Sequence, residues 1–171
     1  MVEIVKGDIV IQEIEAIVNA ANNSLLGGAG VDGAIHSVAG KELLAECKTI
    51  GFCKTGQAVL TKAYKLKSDF VIHTVGPIWY GGGNNEEHLL SLCYRNVFNI
   101  IREKNIKSVA FPAISTGVYK FPVDLATDIA LRETREFLKS NINNVKIVFV
   151  CYDENTYNVY LNKFNQLFRK G

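Results

Sequence analysis

No apolar run in this sequence is long enough to span a bilayer, which excludes a transmembrane helix. The first residues, Met1-Val-Glu-Ile-Val-Lys6, lack the basic start and long apolar stretch of a signal peptide. The four cysteines, Cys47, Cys53, Cys93 and Cys151, form no Cys-x-x-Cys pair. Cys93 and Cys151 fall in apolar patterns, as small core residues do. His36, His73 and His88 have no metal-ligand spacing with them or with each other. A reduced, cytoplasmic protein without a metal or cofactor is expected. The net charge is only +2 on 171 residues, so non-specific nucleic-acid binding is not implied. No Gly-Lys-Ser/Thr element is present, which argues against a P-loop nucleotidase. No Ser-His-Asp or Cys-His spacing suggests covalent catalysis. There is no internal repeat, low-complexity tract or linker, so one domain over residues 1–171 is expected.

What is present is a normal globular composition, 48% apolar and 21% charged. Strands are predicted at Val2–Val5, Ala16–Asn19, Ala58–Thr61, Phe70–Val75, Ser108–Phe111 and Lys146–Cys151. Several are continuous apolar runs, the pattern of strands covered on both faces. Between them lie helical patterns. Glu86–Lys104 carries Leu89, Leu92, Cys93, Val97, Ile100 and Ile101 on one stripe. Val123–Lys139 follows Pro122, a residue suited to a helix start. A third stripe runs from Tyr157 to Phe168 and is expected to pack on the sheet. Alternating strands and helices predict an α/β layer fold with helices on both faces. Ligands on such sheets bind outside the carboxyl ends of the strands. The connection containing Trp79 and Gly81-Gly82-Gly83 is expected to be mobile and without chemistry.

The loops after two strands are therefore the informative ones. The first is Asn19-Ala-Ala-Asn-Asn-Ser-Leu-Leu-Gly-Gly-Ala-Gly-Val-Asp-Gly-Ala-Ile-His36. Its glycines let backbone approach a ligand closely, and the helical pattern that follows offers free N–H groups to an anion. Asp32 is the only acid between Glu15 and Glu42. Gly28-Ala-Gly-Val-Asp-Gly33 matches Gly-x-Gly-x-x-Gly, but the dinucleotide fingerprint needs a glycine tight against the strand and an acid about 20 residues on. Here Ala20–Gly27 intervenes and the downstream residues are Phe52-Cys-Lys54, so that reading fails.

The second loop, Ile114-Ser-Thr-Gly-Val-Tyr119, follows the strand ending at Phe111. Ser115, Thr116 and Gly117 can turn successive N–H groups inward as an anion nest, with a helix start beyond. An ordinary strand-to-helix turn would use the same residue types. Two such loops after two strands suit a pyrophosphate.

Taken with Gly7-Asp8-Ile9, Ile17-Val-Asn-Ala-Ala-Asn22, Cys53-Lys-Thr-Gly-Gln57, Val71-Ile-His-Thr-Val-Gly-Pro77 and Phe111-Pro-Ala-Ile-Ser-Thr-Gly-Val-Tyr119, the chain resembles a macrodomain. Within that family it is similar to the MacroD-type branch that removes ADP-ribose. The resemblance runs from about Met1 to Tyr160. It implies a three-layer α/β/α fold with a central mixed sheet. It implies that Asp8 accepts the adenine amino group beside the Ile9 backbone, and that Tyr152 stacks on adenine. The backbone of Gly28, Gly30 and Val31, with Ser115, Thr116, Gly117 and Val118, would hold the phosphates. Tyr119 would flank the distal ribose, with Asn22 and Asp32 facing that ribose and its leaving group. The implied partners are ADP-ribose, its esters and mono-ADP-ribosylated proteins, with no membrane and no nucleic acid except as an ADP-ribosylated substrate.

Each residue also has a plainer local role. Asp8 can cap a turn after Gly7, and Tyr152 can be a rim aromatic. Asn19 and Asn22 can bond the local backbone, and Asn19 reads as structural. Asp32 can complement the helix dipole. His36 and His73 read as hydrogen-bonded structural histidines rather than catalysts. Two positions depart from the family: Ala29 and Lys120 stand where glycine is common.

With one acid in the distal pocket, a two-carboxylate glycosidase arrangement is excluded. The expected chemistry is metal-independent hydrolysis in which Asn22 orients the substrate and Asp32 polarises water or a ribose hydroxyl. The alternatives are a reader that binds ADP-ribose without turnover, since fold alone does not set activity, and a phosphatase acting on ADP-ribose-1″-phosphate in the same pocket.

Overall fold

The computed structural model describes residues 1–140 and 144–169. Among the described residues six strands form one sheet: β1 (Val2–Lys6), β2 (Ala16–Ala20), β3 (Ala58–Lys62), β4 (Phe70–Thr74), β5 (Ser108–Phe111) and β6 (Lys146–Cys151). Their order across the sheet is β1-β6-β5-β2-β4-β3. Neighbours are parallel from β1 through β4, and β3 runs antiparallel along β4 at one edge. The sheet is therefore mixed. Strands β2, β4, β5 and β6 are apolar runs buried on both faces, whereas β1, at the other edge, is only partly buried.

Alternation along each strand separates two cores. Ala16, Val18, Val109, Phe111, Ile147 and Phe149 point one way, toward α3 (Glu86–Glu103), α4 (Val123–Ser140) and α5 (Glu154–Phe168). Ile17, Ala110, Val148 and Val150 point the other way, toward α1 (Gly30–Ala39) and α2 (Lys41–Ile50). The period of two makes this split unavoidable once both faces are covered. Three layers result. Helix α2 was not singled out in the sequence; Leu43 and Cys47 are its fully buried positions. It is short and has a single buried stripe.

Because β1, β6, β5, β2 and β4 run parallel, their carboxyl ends share one edge of the sheet. Gly7 N donates to Cys151 O across 2.9 Å, so the chain leaves β1 beside the point where it leaves β6. That brings Asp8 and Tyr152, at opposite ends of the sequence, to neighbouring strand ends. From β1 to β2 the edge spans about 14 Å at ~4.8 Å per strand.

The connection after β4 is not loose. Glu86, the first residue of α3, is buried and accepts from the N–H groups of Tyr80, Gly82 and Asn84. Trp79 packs on Phe121 with ring centroids 4.7 Å apart. The expectation of a mobile segment overlooked a carboxylate that gathers three backbone donors.

Candidate functional site at the carboxyl edge of the sheet

A cleft of about 290 Å³ opens at the ends of β2, β4 and β5. Asn22, Gly28, Gly30, Val31 and Asp32 line one wall, and Ser115, Gly117, Val118 and Tyr119 line the other. Ala20, Ala21 and Gly76 close its floor with Pro112, Ala113 and Ile114, small or apolar residues that carry no chemical signal in the sequence. Asp8, Ile9, Thr116 and Tyr152 lie outside this lining. Asp8 Oδ1 accepts from Val10 N at 3.1 Å and caps the 3-10 turn Ile9–Ile11, and its second oxygen has no partner among the described residues. Ile9 is buried beneath it. Thr116 turns its hydroxyl into the loop, donating to Ala113 O at 2.9 Å. Tyr152 is 79% exposed, held at a corner between buried Cys151 and Asp153. Asp153 caps α5 by accepting from Thr156 N at 2.8 Å.

Both long walls present unpaired backbone donors. The residue before α1, Ala29, supplies no side-chain cap, so the first-turn N–H groups of Gly30, Val31 and Asp32 remain available. Opposite, no acceptor among the described residues meets the N–H groups of Ser115, Gly117, Val118 or Tyr119. A helix start and a turned loop facing each other favour an anionic ligand. Ser115 Oγ adds a buried hydroxyl with no partner among the described residues. Such an orphan at a cleft wall is unusual and fits a ligand contact.

The backbone geometry explains the small residues. A Cβ on Gly33 would lie 2.4 Å from Gly28 O, and one on Gly76 would lie 2.1 Å from Ser115 Oγ. Each glycine is there for close approach, not freedom. Ala29 adopts φ −95°, an ordinary extended conformation, so alanine fits where glycine is common. Lys120 is different: its φ is +59°, in the left-handed region that favours glycine. Ser115 shares that strain at φ +66°.

Asn22 and Asp32 meet over Gly28, whose Cβ would sit 3.2 Å from Asp32 Oδ2 and 3.5 Å from Asn22 Nδ2. Asn22 Oδ1 already accepts from Ser24 Oγ at 2.7 Å and Leu25 N at 3.1 Å, and Nδ2 donates to Gly27 O at 2.9 Å. One N–H is left to offer, so Asn22 can donate to a ligand but not accept. Asp32 is 5% exposed. Its Oδ1 accepts from Asn19 Nδ2 at 2.9 Å and lies 3.5 Å from His36 Nε2. Its Oδ2 has no hydrogen-bond partner among the described residues and faces the cleft side. Burial pushes the Asp32 carboxyl above its usual range, against the opposing pull of Asn19 and His36. Among the described residues no group of three His, Cys, Asp or Glu side chains is placed to hold a metal ion.

A family model described as Macro domain matches residues 18–130. A Macro domain-containing protein of Methanosarcina mazei is 50% identical over 155 residues, covering 91% of this chain and 83% of that protein. A Salmonella typhimurium protein named O-acetyl-ADP-ribose deacetylase is 47% identical over 168 residues, covering 96% of this chain and 94% of its own. Among solved structures, the Oceanobacillus iheyensis macrodomain with ADP superposes with a TM-score of 0.94 at 43% identity, covering 99% of this chain and 93% of that one. The Trypanosoma brucei macrodomain in complex with ADP-ribose gives a TM-score of 0.90 at 41% identity, covering 95% and 68%.

Proposed function

Because the chain belongs to the macro domain family, we propose that its cleft binds ADP-ribose and that Asp32 and Asn22 direct hydrolysis of an ester at the distal ribose. The substrates are O-acetyl-ADP-ribose and mono-ADP-ribosyl groups on Asp or Glu side chains. One observation carries the reading: two rows of unpaired backbone N–H groups face each other beside a single buried carboxylate. The donor rows suit a pyrophosphate. The carboxylate serves no purpose in simple retention of the ligand.

In this scheme the adenine lies at the ends of β1 and β6, between Asp8 with Ile9 and the ring of Tyr152. The pyrophosphate crosses β5, held by Gly28, Gly30 and Val31 on one side and by Ser115, Thr116, Gly117 and Val118 on the other. The distal ribose reaches Asn22, Asp32 and Tyr119. Asn22 gives its remaining N–H to a ribose hydroxyl. Asp32 Oδ2 accepts a proton from water or that hydroxyl as the new bond forms, and returns it as the leaving oxygen departs. A carboxyl with a raised pKa is a better base near neutral pH than an ordinary aspartate. The names of the Salmonella relatives favour the deacetylase substrate.

Purified protein incubated with O-acetyl-ADP-ribose, and separately with Asp/Glu-linked mono-ADP-ribosylated protein, is expected to release acetate or ADP-ribose in EDTA as in its absence. ADP-ribose binding without release from either substrate would make the protein a reader. Loss of turnover in EDTA, restored by one divalent ion, would overturn the metal-free scheme.

A further inference from the structure

Behind Asp32 a buried chain of polar side chains runs across three strands on the α1/α2 face. Asn19 lies on β2, His73 on β4 and Thr61 on β3; Asn19 and His73 are register partners. Asn19 and His73 have no exposed surface, and Thr61 is 2% exposed. Asn19 Nδ2 lies 2.9 Å from Asp32 Oδ1 and 3.1 Å from His73 Nδ1. His73 Nε2 lies 2.9 Å from Thr61 Oγ1, and that hydroxyl donates to Lys62 O at 3.0 Å.

With Asp32 ionised, the donors admit one consistent arrangement. The Thr61 hydrogen goes to Lys62 O, so Thr61 Oγ1 must accept and His73 Nε2 must donate. Neutral imidazole then carries a lone pair on Nδ1, which needs a donor from Asn19. The two amide hydrogens of Asn19 are divided between His73 and Asp32. Rotating the amide by half a turn would set its oxygen 2.9 Å from Asp32 Oδ1, tolerable only for a protonated acid. The present orientation leaves Asn19 Oδ1 buried without a partner, a cost accepted to keep the N–H end on Asp32.

We propose that His73 is a positioning residue for Asp32: its Nε2–H tautomer, fixed by Thr61, turns the Asn19 amide so that a donor faces the carboxylate. This rests on the reading of Asp32 as the reacting group. The groups facing Asp32 are Asn19 from β2, His36 from α1 at 3.5 Å, and Cys47 from α2. Cys47 Sγ also lies 4.0 Å from His73 Nε2. Burial, with His36 nearby, lowers His73 to about 3, and burial raises the Cys47 thiol to about 11. Both stay neutral near pH 7, so His73 acts by its hydrogen-bonding direction, not its charge.

The test uses the full chain with Thr61→Val, which keeps the shape and removes the acceptor for His73 Nε2–H, and Thr61→Ser, which restores it. The first readout is the Asp32 carboxyl titration by ¹³C NMR in ligand-free protein. Thr61→Val is expected to move it to higher pH, and Thr61→Ser to return it. The second is kinetic: Thr61→Val lowers kcat about tenfold and shifts the acid limb upward, with KM and ADP-ribose affinity within about twofold. Should Thr61→Val not fold, Thr61→Ala removes the same acceptor. A folded variant whose Asp32 titrates as in the wild type overturns the proposal, as does failure of both variants to fold. The titration needs no turnover. A wild-type protein without hydrolase activity would sink the proposed reaction while the titration still reports on His73.

Discussion

The backbone N–H of Trp79 donates to the carbonyl of Tyr119 across 2.8 Å. This bond joins the connection after β4 to the loop after β5, and so ties one wall of the cleft to Glu86. The carboxylate of Glu86 holds Tyr80, Gly82 and Asn84 in place, and these hold Trp79. A carboxylate outside the cleft lining is thereby linked to Tyr119.

Glu86→Gln is expected to lower the melting temperature at pH 7 and weaken ADP-ribose binding together. Burial alone would raise the Glu86 pKa, but the three N–H donors outweigh it and hold the carboxyl below its usual range. A depressed folded pKa contributes stability that is present above the unfolded value and lost as pH falls through the folded value. The melting-temperature gap between wild type and Glu86→Gln should therefore shrink as the pH drops below the ordinary glutamate range. A gap constant from pH 7 to pH 3 would show that the charge is not what holds the connection.

Gly117 gives a clean separation of fold from binding. A Cβ there meets nothing within 4 Å, so Gly117→Ala should fold as the wild type does. Gly117→Glu should fold too and abolish ADP-ribose binding, because it places an anion in the nest. Gly33→Ala should instead lose stability by roughly 1–3 kcal/mol, since its methyl meets the Gly28 carbonyl. Calorimetry and thermal melts on the three variants distinguish the cases. Wild-type ADP-ribose affinity in Gly117→Glu would remove this loop from the site.

Tyr152 is so exposed that its ring contributes little to the fold. Tyr152→Ala should leave the melting temperature of the free protein unchanged. It should weaken ADP-ribose and AMP alike by about 1–2 kcal/mol if the ring stacks on a base. Unchanged affinity for both ligands would leave Tyr152 as a rim aromatic.

The central strands β2, β4, β5 and β6 were legible in the sequence because burial on both faces writes a short, continuous apolar run. Helices α3 and α4 were legible because each carries one long stripe. Helix α2 was not, because ten residues with two buried positions give a weak pattern and Gly40 starts it directly after α1. The Gly-rich segment and the Ser115–Tyr119 loop were recognisable from glycine and polar residues after strands. Asp8 and Tyr152 could be paired only through family resemblance, since the adjacency of β1 and β6 is a product of topology. His73 read as a hydrogen-bonded histidine and is one, but Asn19 read as bonding the local backbone, whereas its amide bonds the side chains of Asp32 and His73, brought to it by helix α1 and strand β4. Glu86 gave no signal: an acid opening a helix looks like an ordinary dipole partner until the loop closes over it.

Asp32 should show opposed effects on stability and rate. Its carboxyl is raised by burial, with Asn19 and His36 only partly compensating, so the folded state disfavours the charged form. An acid with a raised folded pKa costs stability as pH rises from the unfolded value through the folded one. Asp32→Asn removes that cost, so the variant should melt higher than the wild type at pH 7. The difference should disappear below the ordinary aspartate range, where both side chains are neutral. In the same variant kcat should fall by roughly 10²–10⁴, the usual span for a general acid–base group. ADP-ribose affinity should change far less, since the proposed scheme places the adenine and phosphate contacts elsewhere. Higher stability with lost turnover and retained affinity marks a group whose strain serves the reaction. Wild-type turnover in Asp32→Asn would remove it from the chemistry. A variant less stable at pH 7 would mean that the charged carboxylate, through Asn19 and His36, supports the fold after all.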